Sequence, residues 1–181
     1  MSCRTTLRAL LEAHRAANAD EARHRERMLE LANATSDPLR RDHFEPGHFT
    51  ASAFVLSPDR AALLLVHHRK LDRWLQPGGH VEASDLDLIA AARREVLEET
   101  GIAELELLQP ASFDLDVHPI PALGRELPHE HFDVRFLFRA GTPELRLSSE
   151  SKAVRWVPLA EIAAAGSDES VLRATRKLPG G

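Results

Sequence analysis

Glu95, Glu98 and Glu99 stand at positions i, i+3 and i+4 in the segment "RREVLEETGI", with Arg94 directly before them. Carboxylates at that spacing share one helix face and repel by about 0.2–0.5 kcal/mol per pair, so either solvent screens them or a cation sits among them. Three carboxylates converging on one volume suit Mg²⁺ or Mn²⁺, hard ions that take oxygen ligands and often share them with substrate phosphate. Arg94, four residues before Glu98, can orient that carboxylate or face a diphosphate. The turn at Gly78 and Gly79 lets backbone approach a ligand or metal without a Cβ in the way. Taken alone, "REVLEE" is more often an ordinary solvated face of paired Arg and Glu.

The elements that must position these residues are legible as patterns. A helix is expected from about Asp85 to Thr100, with Ser84 or Asp85 as N-cap and Gly101 placed to end it. At about 100° per residue, Leu86, Ile89, Ala92, Val96 and Leu97 fall on one side and the glutamates on the other. Upstream, "ASAFVLSPDRAALLLVHHR" holds two β-type runs around Ser57 to Arg60, a hairpin signal. Downstream, "LELLQPASFDLDVHPI" and "HEHFDVRFLFRA" alternate as strands, followed by a short strand at "AVRWVPL" and a helix at "LAEIAAAG". Residues 5 to 33 have helical composition and an apolar stripe in each half, which predicts two helices with a break near Asn18 to Asp20. "TSDPLRRDHFEPGHFT", with two prolines and a glycine, reads as a connector. Strands, helix, strands, helix makes the class α/β or α+β, with a mixed sheet and flanking helices.

Bulk properties bound the partners. The chain has 181 residues, 43% of them apolar, enough for one core with an added helical segment. A net charge of -5 argues against stable nucleic-acid binding. Cys3 is the only cysteine, so no intrachain disulfide or cysteine zinc site is expected. With no apolar run of membrane or signal-peptide length, the reading is a cytoplasmic protein that does not engage a membrane.

The stretch from Gly79 to Ile102 resembles the Nudix box, Gx5Ex7REUxEExGU with U aliphatic. Its second half, Arg94 to Ile102, matches at every specified position. Its first half runs one residue long: counting forward from Gly79, the glutamate position holds Asp85, and counting back from Gly101 it falls on Leu86. The extra residue must lie in the loop or first helical turn, since an insertion nearer Arg94 would rotate the glutamate stripe. Asp85 or Asp87 could take over the salt bridge of the missing glutamate.

The resemblance implies a Nudix-type α/β/α sandwich over residues 46–181, with residues 1–45 a helical extension and connector. It implies a metal-dependent hydrolase, using Mg²⁺ or Mn²⁺, that cleaves the diphosphate bond in a nucleoside diphosphate linked to another moiety. By position, Glu95, Glu98, Glu99 and the Gly79 carbonyl look like metal ligands and Arg94 like the orienting residue. A later-loop glutamate serves as base in several relatives; Glu150 occupies a suitable place, with Glu144 as competitor. A non-catalytic nucleotide-binding module of the same fold is the main alternative. An isomerase of isoprenoid diphosphates, which uses histidine metal ligands, is a weaker one, because Cys3 lies far from the domain that would need a reactive cysteine.

Around this candidate centre the chain places ten histidines and no tyrosine. On "HEHFDVRFLF", alternation puts His129, His131, Asp133 and Arg135 on one face and Phe132, Val134, Phe136 and Phe138 on the other. The phenylalanine face is core; the polar face is expected at solvent or at a substrate cavity. His80, His129, His131, Arg135 and Arg69 are the candidate substrate contacts, Arg69 within the basic run His67, His68, Arg69, Lys70 and Arg73. Trp74 could stack on a base but fits packing better. The N-terminal helices could cap the cleft or form a homodimer, and the sequence leaves both open.

Overall fold

Helix α1 (Cys3–Ala13) and helix α2 (Ala19–Asn33) are separated where the sequence predicts, because Asn18 caps α2 by accepting from Glu21 N. The computed structural model describes residues 3–34, 37–69, 72–122, 124, 126–149 and 151–178. Eight strands follow: β1 (Gly47–Leu56), β2 (Ala62–His68), β3 (Arg73–Leu75), β4 (Gly78–His80), β5 (Leu105–Leu107), β6 (Asp114–Ile120), β7 (His129–Ala140) and β8 (Ser151–Pro158). They form one sheet of hydrogen-bonded order β3-β2-β1-β7-β5, with β4 on β1, β6 on β7 and β8 on β2. Helix α3 (Leu88–Thr100) carries the glutamates, and α4 (Glu169–Thr175) closes the described chain. The class is α/β, with a mixed sheet, flanking helices and an N-terminal helical pair.

Two compact units divide the chain, one from residues 1–52, 79–91 and 111–136, the other from 53–78, 92–110 and 137–181. In the first, β6 pairs antiparallel with the start of β7, matching Asp114 to Arg135, Asp116 to Asp133 and His118 to His131. Its core holds Leu7, Leu11, Met28, Phe49, Leu115 and Phe132. Helix α2 packs on β6, and a buried link fastens the helical pair to the segment before that strand: His14 contacts Glu21 Oε1 at 2.9 Å and Ser112 Oγ at 2.8 Å.

In the second unit the Ser57–Arg60 turn joins β1 to β2 as predicted, with Leu56 opposite Leu63. Strand β2 pairs with β3 on one edge and with β8 on the other, and β5 pairs with the end of β7. Leu63, Leu64, Leu65, Val96, Phe138 and Val157 are buried there. Trp74 is a packing residue: His67 stacks on it at 4.9 Å and the Arg155 guanidinium lies 4.1 Å from its ring centroid.

Three expectations need correction. The helix expected at "LAEIAAAG" is a 3-10 helix (Leu159–Ala164), and α4 follows it on an Asp168 cap that the sequence reading passed over. Leu86 precedes α3 and is 84% exposed, and Leu97 is 48% exposed; the buried apolar positions of the helix are Leu88, Ala91, Ala92 and Val96. The N-cap is Asp87, which accepts from Ala90 N at 2.8 Å, because Asp85 is engaged one turn earlier.

Candidate functional site

The glutamate helix is built from both ends. Before it, Asp85 accepts from Glu82 N at 2.8 Å and donates its own N–H to Glu82 O at 3.0 Å, closing a turn over residues 82–85. The extra residue of the motif is absorbed before the helix begins, so the stripe keeps its register. At the other end Gly101 adopts φ 78° and donates to Leu97 O at 2.9 Å. A Cβ there would meet Arg146 Cβ at 2.8 Å, so glycine is required by backbone and space together.

On this helix Arg94 Nη1 donates to Glu95 Oε1 at 2.9 Å and to Glu98 Oε2 at 3.2 Å. One cationic nitrogen thus sits between two carboxylates. Glu99 is 7% exposed and accepts from Gly78 N at 3.1 Å, whereas the Glu98 side chain is 56% exposed. The donor set is all oxygen, with one acid anchored, one half-enclosed and one open to solvent. Such a set fits a hard divalent ion.

On the polar face of β7, His129, Asp133 and Arg135 are buried and His131 is partly buried. Arg135 is 1% exposed, and its guanidinium donates to Asp133 at 2.8 Å, Asp114 at 3.2 Å and Asp116 at 3.2 Å. Thr50 and Ser52 donate to Asp133 at 3.0 and 2.7 Å. Burial works to lower the Arg135 pKa, but Asp116, Asp133 and Asp114 outweigh it and hold the pKa above its usual value. The guanidinium expected as a substrate contact is thus enclosed by three aspartates and holds β6 to β7.

Imidazoles gather in the same unit, His118 among them at 5.6 Å from His131. His48 lies 5.1 Å from His80, 4.9 Å from His129 and 4.9 Å from His131, ring centroid to centroid. Burial, reinforced by the neighbouring His48, lowers the His80 pKa to about 4; burial, reinforced by His118, lowers that of His131 to about 2. Burial also lowers that of His48. The three histidines singled out from sequence therefore come together, joined by His48, which was not. The alternation His48, Thr50, Ser52 marks one polar face of β1, but those residues sit in or beside a Pro-Gly segment that reads as connector.

Arg69 is exposed and donates to Ser151 O at 3.3 Å. Glu144 is exposed in the loop before β8, while Glu150 and Lys70 lie outside the described residues. In the first unit an open cavity of about 630 Å³ is lined by Leu39, Arg41, Phe44, Val81, Glu82 and Asp85, so the turn that absorbs the extra residue forms part of its wall.

An α/β fold with this glutamate helix defines a class, the hydrolases that open pyrophosphate bonds. A family model described as NUDIX domain matches residues 46–176, and the chain belongs to that family. It is 28% identical over 122 residues to a probable DHNTP pyrophosphohydrolase of Lactococcus lactis, covering 67% of this chain and 72% of that protein. It is 32% identical over 99 residues to an asymmetrical bis(5'-nucleosyl)-tetraphosphatase of Rattus norvegicus, covering 55% of this chain and 65% of that one. Among solved structures, a NUDIX-family hydrolase from Clostridium perfringens superposes with a TM-score of 0.55 at 24% identity, covering 72% of this chain and 95% of that chain. A C. elegans Ap4A hydrolase gives a TM-score of 0.57 at 21% identity, over 71% and 93% of the two chains.

Proposed function

We propose that this protein cleaves the diphosphate bond in a nucleoside diphosphate linked to another moiety, with Mg²⁺ or Mn²⁺ held by Glu95, Glu98 and Glu99. The observation that carries the reading is the placement of Arg94 Nη1 between Glu95 and Glu98, 2.9 and 3.2 Å away, because it shows two carboxylates converging on one positive centre. By sequence position the Gly79 carbonyl joins the ligand set, next to Gly78, whose N–H fastens Glu99. When bound, a divalent ion there neutralises charge on the phosphate oxygens and acidifies a water.

The chain's own residues do the rest. Glu99 is fixed by the turn and supplies a preset acceptor. Glu98, the most exposed of the three, faces arriving solvent and substrate. Arg94 limits the rotamers of Glu95 and Glu98 and so reduces the entropy lost when they are ordered. Glu150 is assigned as base on sequence grounds, with Glu144 as competitor, and Arg69 as an exposed phosphate contact.

The names of the relatives support the reaction class. A DHNTP pyrophosphohydrolase and a bis(5'-nucleosyl)-tetraphosphatase both act on phosphoanhydride bonds. The deciding experiment is release of phosphate or nucleotide from a panel of nucleoside diphosphate derivatives, with Mg²⁺, Mn²⁺ or chelator. Activity that needs the ion and falls in Glu98→Gln supports the reading. Equal turnover by parent and variant, or binding without release across the panel, sinks it.

A further inference from the structure

We infer that His48, His80 and His131 form a second cation site, for a borderline divalent transition ion of the Zn²⁺ type held by imidazole nitrogens. Each residue offers one ring nitrogen, and the three nitrogens lie within 4.8 Å of one another. They come from β1, β4 and β7, so the cluster arises from sheet pairing and owes nothing to neighbours in sequence.

The His48 ring is oriented as a metal-binding imidazole is. His48 Nδ1 lies 3.1 Å from His43 O, and the His43 ring is itself tied to Gly47 O at 2.6 Å. A carbonyl acceptor fixes the proton on Nδ1 and leaves the Nε2 lone pair of His48 free. That Nε2 is buried with no hydrogen-bond partner, in a residue only 1% exposed. His129 repeats the arrangement beside it: Nδ1 lies 2.7 Å from Leu127 O, and Nε2 is buried without a partner. Buried polar atoms are nearly always satisfied, so two orphaned lone pairs in one cluster call for an acceptor of electrons.

Backbone geometry places His48 deliberately. A Cβ on Gly47 would stand 1.8 Å from Glu130 O, and Glu130 donates to Pro46 O at 2.9 Å, which brings the start of β1 against the start of β7. The donor set decides the ion. Imidazoles without thiolate or carboxylate favour Zn²⁺, Co²⁺, Ni²⁺ or Cu²⁺ over Mg²⁺. Tetrahedral Zn–N bonds of about 2.0–2.1 Å separate nitrogens by about 3.3 Å, so modest side-chain rotation closes the site and leaves a fourth position open. The inference uses residues of the first unit alone and stands whether or not the proposed reaction does.

The test uses the untagged full chain, stripped with chelator and titrated with Zn²⁺ by calorimetry in excess Mg²⁺, with Co²⁺ absorption as the geometric probe. Expected are one Zn²⁺ per chain, tetrahedral Co²⁺ bands, and at least tenfold weaker Zn²⁺ binding in His80→Gln and in His131→Gln, with unchanged circular dichroism. Glu98→Gln should bind Zn²⁺ as the parent does. His80 and His131 are both only partly buried, so either variant carries the test if the other misfolds. No Zn²⁺ uptake above Mg²⁺ competition, parental affinity in His80→Gln, or loss in Glu98→Gln alone would each overturn the site.

Discussion

Gly78 donates its backbone N–H to Glu99 Oε2 at 3.1 Å, across 21 positions of sequence. The turn before the motif and the last acid of the stripe are thereby tied together, and Glu99 is held at 7% exposure. Glu99 and Glu98 should therefore fail differently. Glu98→Gln should lower kcat by about 10²-fold or more, as loss of a group acting on developing charge does, and leave stability within about 0.5 kcal/mol, as for an exposed site. Glu99→Ala should lose activity and also about 1 kcal/mol of stability, because the part-buried Gly78 N–H loses its acceptor. Chemical denaturation beside turnover separates the two, and equal stability losses would contradict the assignment.

Arg94 bridges Glu95 and Glu98, so its removal acts on the carboxylates before it acts on substrate. In Arg94→Ala the Mg²⁺ concentration for half-maximal activity should rise about tenfold, in line with loss of a group that orients metal ligands. A partly exposed ion pair contributes little to stability, about 0–1 kcal/mol. If Arg94→Ala instead raised the substrate KM at saturating Mg²⁺ and left the Mg²⁺ dependence alone, the guanidinium would be a substrate contact.

The glutamate register was legible because "REVLEETGI" specifies both residue types and spacing. Its N-cap was not, since Ser84, Asp85 and Asp87 are all good caps and only the turn that engages Asp85 decides among them. The bounds of β7 could be read from strict alternation, His129 to Ala140. What its polar face does could not, because two of the three partners of Arg135, Asp114 and Asp116, lie on β6, and "DLD" in β6 reads equally well as an outward face. Non-local pairing creates both clusters, Asp114 opposite Arg135 for the ions and the meeting of β1, β4 and β7 for the histidines. Neither exists in any local window of the chain.

Arg135 sits among three buried carboxylates, and taking it away leaves them uncompensated. Arg135→Met should cost about 3–5 kcal/mol or prevent folding, the usual result of breaking a buried ion pair from one side. Asp114→Asn, which leaves two carboxylates around the one guanidinium, should cost less. Denaturant midpoints check this. A well-folded Arg135→Met with a raised KM would restore the residue to the substrate site.

Gly47 has no room for a side chain, since an added Cβ would stand 1.8 Å from Glu130 O. Gly47→Ala must part the starts of β1 and β7, and overpacking of this kind costs about 1–3 kcal/mol. The same displacement should weaken Zn²⁺ uptake in the calorimetric titration while leaving the Mg²⁺ dependence of turnover near the parental value. A variant as stable as the parent would show that the two backbones are not held in contact.

The histidine cluster also sets a pH dependence in the metal-free chain. An unfolded imidazole titrates near about 6.5, whereas burial lowers His80 to about 4 and His131 to about 2 in the folded chain. Between these values the unfolded chain binds more protons, so unfolding free energy rises with pH. Stability from this source is complete above about pH 6.5 and is lost as pH falls from there toward about 4 and below. His48, lowered by burial as well, adds to the same slope, and Glu126 opposes it at His80. Urea midpoints of chelator-treated protein between pH 7.5 and 4.5 should therefore decline with acid, and less steeply in His131→Gln than in the parent, because glutamine takes up no proton. Parallel declines in the two proteins would show that His131 does not set the acid sensitivity.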